Sequence, residues 1–221
     1  MLAKDLISDE IPALRTSDTA VEALNWMEVF RISHLPIVNN EEFLGLISDA
    51  DIFDLNTPSE AIGNHKLSLL RPSVKCDQHI YEIMEVAASQ KLTVVPVLDY
   101  NNKYLGVVQM TDLLHYFAKL SAIEKPGGII VLETTQSDYS MSEISQIIES
   151  NDAKILSMYV NTPEDSTKLE VTLKINLTDL TSIIQTFNRY EYKIKASFME
   201  YDEQDDLYHE RYDLFMRYLS T

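Results

Sequence analysis

The sequence predicts a mixed α+β (α/β) protein in two parts, and three observations carry that expectation. Residues 32–53, ISHLPIVNNEEFLGLISDADIF, return at 92–114 as LTVVPVLDYNNKYLGVVQMTDLL. Pro126-Gly127-Gly128 is the strongest turn signal in the chain. Beyond it, apolar residues recur alternately at strand and helix spacing, in the order βαββαβ.

The repeat comes first along the chain. Pro36 aligns with Pro96, Gly45 with Gly106 and Asp51 with Asp112, at offsets of 60, 61 and 61. Upstream, SDTAVEALNWM (17–27) aligns with CDQHIYEIMEV (76–86) at an offset of 59. Ser17 or Asp18 is placed to cap a helix with Val21, Leu24 and Met27 on one face. Asp77 stands likewise before Ile80, Ile83, Met84 and Ala87. Strands are expected at 34–38 and 93–98, polar turns at 39–42 and 99–103, and second strands at 43–48 and 104–109. Second helices start near Asp51 and Asp112, and a further short strand precedes the first helix of each copy. A unit of about 55 residues cannot bury both faces of its own sheet, so two copies must share a core.

Behind the Pro-Gly-Gly break, residues 129–134 read as a strand. Ser140 caps a helix carrying Met141, Ile144, Ile147 and Ile148, with Glu143 three residues after the cap. A strand follows at 153–160 and a turn at 163–166. Leu169, Val171, Leu173 and Ile175 then alternate with polar residues, the mark of a half-buried strand. A helix at 177–189 carries Leu180, Ile183, Ile184 and Phe187 on one face, and a last strand spans 192–201. This βαββαβ order is the ferredoxin-like arrangement. The tail, 202–221, places Leu207, Arg211, Leu214, Phe215, Tyr218 and Leu219 on one helical face. So short a helix needs its own domain or a partner subunit to pack on. The expected divisions are 1–58, 66–120, 126–201 and 202–221.

Composition narrows the function. The 221 residues carry 18 Lys and Arg against 35 Asp and Glu, a net charge of −17, and every part is acidic. A phosphate backbone or an anionic membrane surface calls for a basic face, so neither nucleic acid nor membrane is an expected partner. No run approaches 18 apolar residues, and the N-terminus MLAKDLISDEIPAL lacks the apolar stretch of a secretory signal. One cysteine, Cys76, forms no internal disulfide framework, and a reducing cytoplasm is the expected location. Five glycines spell neither G-x-x-x-x-G-K-[ST] nor G-x-G-x-x-G. His34, His65, His79, His115 and His209 lack metal-ligand spacing, and no G-x-S-x-G elbow occurs. The expectation is a protein that is not an enzyme and requires no cofactor or metal.

The doubled pattern apolar-Pro-apolar-apolar, turn, apolar-Gly-apolar-apolar-Ser/Thr-x-x-Asp resembles a CBS domain. Two in tandem resemble a CBS pair, or Bateman module, over about 120 residues. The resemblance implies two clefts between facing sheets, which commonly hold adenosine compounds such as AMP, ADP, ATP or S-adenosylmethionine. It assigns the ribose diol to Asp51 with Ser48 and to Asp112, where Gln109 replaces the Ser or Thr of the pattern. It places the adenine near His34 and Leu35 in one copy and Val94 and Val95 in the other. The segment 126–201 is similar to an ACT domain, whose ligand loop here reads Ser137-Asp138-Tyr139-Ser140-Met141 without the Pro-Gly of that family. Pairing of this sheet's edge with another copy is its expected role. The whole resembles CBS–ACT proteins of the acetoin-utilisation type. That implies a small-molecule-sensing homodimer with an unidentified protein target. The alternative is a constitutive scaffold with empty clefts.

Overall fold

The computed structural model of the chain describes residues 1–55, 57–65, 69–163 and 167–199. They fall into two compact units, Met1–Tyr116 and a second that begins at Phe117.

In the first unit, α1 (Ala20–Phe30), β1 (His34–Asn39), β2 (Glu42–Ser48) and α2 (Asp49–Phe53) form one copy of the repeat. The other copy is β3 (Val74–Lys75), α3 (Ile80–Gln90), β4 (Val94–Leu98), β5 (Tyr104–Gln109) and α4 (Met110–Leu120); the unit boundary falls within α4. The hairpins are matched in detail. β1 and β2 pair antiparallel with Ile37 opposite Gly45, and β4 and β5 with Val97 opposite Gly106. Each register shifts at the residue after that pair. The short strand β3 runs parallel to β4. Its expected counterpart in the first copy shrinks to one bridge, Leu14 against Ile37, closed by bonds from Leu14 N–H to the Pro36 carbonyl and from Val38 N–H to the Leu14 carbonyl.

The caps differ from expectation. Thr19, not Ser17 or Asp18, caps α1, because Glu22 three residues on completes a reciprocal box: Glu22 N–H donates to Thr19 Oγ1 at 3.2 Å and Thr19 N–H to Glu22 Oε2 at 2.8 Å. Asp18 instead accepts from Arg15 N–H at 2.8 Å, within the preceding turn. His79, not Asp77, caps α3 through Nδ1. Both helices stop at a left-handed residue, Arg31 (φ 54°) and Lys91 (φ 53°).

The copies exchange their leading segments. The 3-10 turn Ala3–Leu6 docks on the second copy: Ala3 N–H donates to the Gln78 carbonyl, Lys4 N–H to Cys76 and Ser8 N–H to Val107. The 3-10 turn Ile62–Asn64 docks on the first, with Ile62 N–H donating to Asp18 and Gly63 N–H to Thr16, and Leu46 N–H reaches the Leu70 carbonyl. These crossings explain the repeated glycine. Gly45 and Gly106 have φ of 150° and 153°, and each lies under a crossing segment. A Cβ at Gly45 would stand 2.6 Å from Leu69 Cβ and 2.8 Å from the Leu70 carbonyl oxygen; one at Gly106 would meet Ile7 Cγ2. One core joins both copies, with Leu35, Ile37, Ile47 and Ile52 packed together with Val94, Val95, Val97 and Val107.

The second unit contains β6 (Ile129–Thr135), α5 (Met141–Glu149), β7 (Ile155–Asn161), β8 (Lys168–Ile175), α6 (Thr181–Arg189) and β9 (Lys193–Phe198). The sheet order is β7-β8-β6-β9, antiparallel throughout, so the βαββαβ order carries the split arrangement expected of it. Ser140 caps α5, accepting from Glu143 N–H. Ile130, Leu132, Val171, Leu173 and Ile175 of the sheet pack on Ile144, Ile147, Ile148, Ile183 and Phe187 of the helices. The helix α6 begins four residues later than expected. The Leu177 carbonyl accepts from Gly128 N–H, and Asp179 Oδ1 takes the N–H of Thr181. The expected tail helix, 202–221, lies outside the described residues.

Candidate functional site

Each copy ties the start of its second helix to the residue before its first strand. Asp49 N–H donates to the Ser33 carbonyl and Met110 N–H to the Thr93 carbonyl, both at 3.1 Å. Ser33 and Thr93 also join the copies. Ser33 N–H donates to Thr93 Oγ1 at 3.0 Å, and His34 Nδ1 lies 3.1 Å from the same hydroxyl. Thr93 N–H points at Nδ1 as well, at 3.4 Å, so the network makes Nδ1 an acceptor and leaves the ring proton on Nε2. Burial holds the His34 pKa below the ordinary histidine value, against the opposing charges of Asp49 and Asp51.

Ser48 ends β2 and caps α2. Its Oγ accepts from Asp51 N–H at 3.1 Å, while its own N–H and hydroxyl donate to Asp51 Oδ2 at 2.8 and 2.7 Å. Asp51 is therefore not the cap itself but the third helical residue of a capping box. Two donors fix one carboxylate oxygen, and among the described residues no hydrogen bond engages the other. The Asp51 side chain is exposed.

The second copy is built differently. Gln109 Nε2 donates to Ser8 Oγ at 3.0 Å, toward the crossing N-terminal segment. Asp112 lies in the first turn of α4, half-buried, and among the described residues no capping-box bond joins it to Gln109. Of the apolar residues assigned to the clefts, Leu35, Val94 and Val95 are completely buried in the shared core.

One neighbour escaped the sequence reading. Leu70 bridges to Leu46 as Ser8 bridges to Val107, so the two hold equivalent places against β2 and β5. Leu70 is 63% exposed, two residues before the level of Ser48. No motif marks it, because the crossing segments align only through the strands they cover. Arg71, also exposed, follows it.

The second unit has its own concavity, about 360 Å³, lined by Glu133, Thr135, Asp138, Glu143, Tyr192 and Lys193 among others. Thr135 Oγ1 donates to Asp138 at 2.6 Å and closes the expected loop on itself. Tyr192 OH donates to Glu143 at 2.6 Å; burial, and then that carboxylate, push the tyrosine pKa up. Lys168 and Lys193 both reach Glu133, at 2.6 and 2.8 Å, and hold its carboxyl down to about 2. Among the described residues no group of three or more His, Cys, Asp or Glu could hold a metal ion, and no helix is long and apolar enough to cross a membrane.

Inosine-5'-monophosphate dehydrogenase of Methanocaldococcus jannaschii is 22% identical over 151 residues, 66% of this chain and 30% of that enzyme, so the chain spans under a third of that relative's length. A CBS domain pair/ACT domain protein from Thermotoga maritima is 22% identical, with 54% of this chain and 98% of that one covered at a TM-score of 0.48. CBSX2, crystallised in complex with AMP, is 15% identical, with 53% of this chain and 96% of that one covered at a TM-score of 0.47. The family model described as CBS domain matches twice, at residues 3–56 and 71–119. Those two matches fall on the two hairpins, their flanking helices and the N-terminal crossing segment, so the first unit matches the CBS domain once in each copy.

Proposed function

We propose that the chain is a non-catalytic regulatory module that binds an adenosine nucleotide at the first copy's Ser48–Asp51 site, and that the ACT-like second unit joins two copies into a homodimer. One observation carries the ligand reading: the Asp51 carboxylate is gripped on Oδ2 by both donors of Ser48 and stands exposed. A carboxylate fixed in this way meets a vicinal diol without first losing its own freedom, which is what preorganisation contributes to affinity. Leu70 supplies exposed apolar surface on the neighbouring crossing segment, and Arg71 supplies a cation. One arginine suits one or two phosphates better than three, so AMP and ADP are the favoured ligands. Location in the cytoplasm and a downstream protein target belong to the same reading.

The alternative, a constitutive scaffold, draws on the complete burial of Leu35, Val94 and Val95, which withholds those side chains from any ligand. Thermal melting of the full chain separates the two readings. A nucleotide present at 100 times its dissociation constant adds about 2.7 kcal/mol of stability. AMP or ADP should raise Tm more than GMP or free amino acids do. Identical curves with every adenosine compound would leave the scaffold.

A further inference from the structure

We infer that Gln109 closes the second copy to ligand, so that the pair binds one nucleotide per chain at Asp51 alone. This rests on the reading of the first copy as a nucleotide site, and it is argued from the contrast between equivalent positions. Ser48 and Gln109 both end the second strand of their hairpins. Leu70 and Ser8 both bridge to that strand from the crossing segment, opposite Leu46 and Val107.

In the first copy the short Ser48 side chain turns into its own helix and holds Asp51, while the Leu70 side chain carries no hydrogen-bonding group and stays exposed. In the second copy the crossing segment offers a hydroxyl. The longer Gln109 side chain reaches it, and the 3.0 Å bond spans from β5 to Ser8. Ser8 is itself fixed, its N–H donating to the Val107 carbonyl at 2.8 Å, so the bridge is anchored at both ends.

Two consequences follow from that one bond. The amide lies over the ground that is open in the first copy, so a ligand must break the Gln109–Ser8 bond and displace the side chain. Asp112 also loses the hydroxyl that would orient it, and a diol approaching it must order the carboxylate as well. Gln109 is thus a specificity-determining residue that selects one half of a nearly symmetric pair.

Titration calorimetry of the full chain with AMP and with ADP tests this. The wild-type protein should bind one nucleotide per chain. Asp51→Ala should weaken that site by about 10- to 150-fold, and Asp112→Ala should leave its affinity nearly unchanged. Gln109→Ser and Gln109→Thr restore the short hydroxyl and should raise the count to two per chain; their melting curves without nucleotide establish that they are folded. Two nucleotides on the wild-type chain, or one nucleotide lost in Asp112→Ala and kept in Asp51→Ala, would overturn the inference while sparing nucleotide binding. A folded Gln109→Ser and Gln109→Thr pair that still binds one would remove the role of Gln109. No binding by the wild-type chain would instead refute the nucleotide reading itself.

Discussion

Asp51 has two duties, and they can be measured apart. As the third residue of a capping box it stabilises α2, and its loss should cost about 1 kcal/mol without any ligand. As a diol acceptor it makes a charge-assisted bond of about 1.5–3 kcal/mol, so Asp51→Ala should weaken AMP binding by about 10- to 150-fold. Asp51→Asn separates the two, since it keeps an acceptor for the Ser48 donors while discharging the site. It should retain most of the melting temperature and lose most of the affinity. His34 predicts a pH effect. Its folded pKa lies below the unfolded value of 6.5, so the unfolded chain binds the proton more readily. The stability His34 contributes is present above pH 6.5 and is lost as pH falls from there through the folded value. Melting temperatures measured from pH 7.5 to 5.5 should therefore fall, and His34→Asn should flatten that slope. An unchanged slope would show that the ring is not the titrating group. Glu133 acts in a lower window: its carboxyl, held down by Lys168 and Lys193, contributes above the ordinary carboxylate range and stops contributing as pH falls toward about 2.

The repeated glycines carry the prediction at the scale of elements. Gly45 and Gly106 occupy the same place in their hairpins, but they meet different atoms. An alanine at 45 would press on the Leu70 carbonyl and on Leu69 Cβ, which are backbone or tied to it, whereas an alanine at 106 meets only Ile7 Cγ2, a side-chain methyl that one torsion can move. Both pay for a φ that suits glycine, so each should destabilise by about 1–3 kcal/mol, with Gly45→Ala the more costly in chemical denaturation. The hairpins were legible in the sequence for the same reason that the glycines recur: strand periodicity, a polar turn and a tight crossing each leave a local mark. Tyr104–Gln109 and Met141–Glu149 fall where periodicity puts them. The caps were less legible. Asp18 and Asp77 are good capping residues in isolation, yet Thr19 wins through its partner Glu22, and α6 starts late because Leu177 is engaged by Gly128. The site was half legible. The Ser48-x-x-Asp51 spacing announces a reciprocal pair, but Leu70 and Ser8 reach it from segments whose own residues show no period. The depth of Val94 and Val95 depends on the first copy, which no local pattern encodes.

At the scale of the molecule, the second unit should set the assembly. Light scattering at micromolar concentration should return about twice the mass of one chain, and a monomer that persists on concentration would contradict that proposal. The same measurement with AMP present tests whether nucleotide acts within an existing dimer or drives its formation. The exchanged leading segments bear on how the first unit comes into being. The N-terminal segment 3–8 has no dock until residues 76–78 and 107 exist, and the first hairpin stays uncovered until Leu69 and Leu70 follow it. On the ribosome, therefore, the N-terminal segment cannot dock before the second copy is made. The opening residues must wait while roughly a hundred more are synthesised, which at about 5–20 residues per second is a delay of about 5–20 seconds. During that interval the N-terminal segment lacks its dock, and β5 of a nascent chain on a neighbouring ribosome could supply one. Entangled pairs formed between chains are the expected by-product of that wait, and slowing translation ahead of residue 110 should increase them.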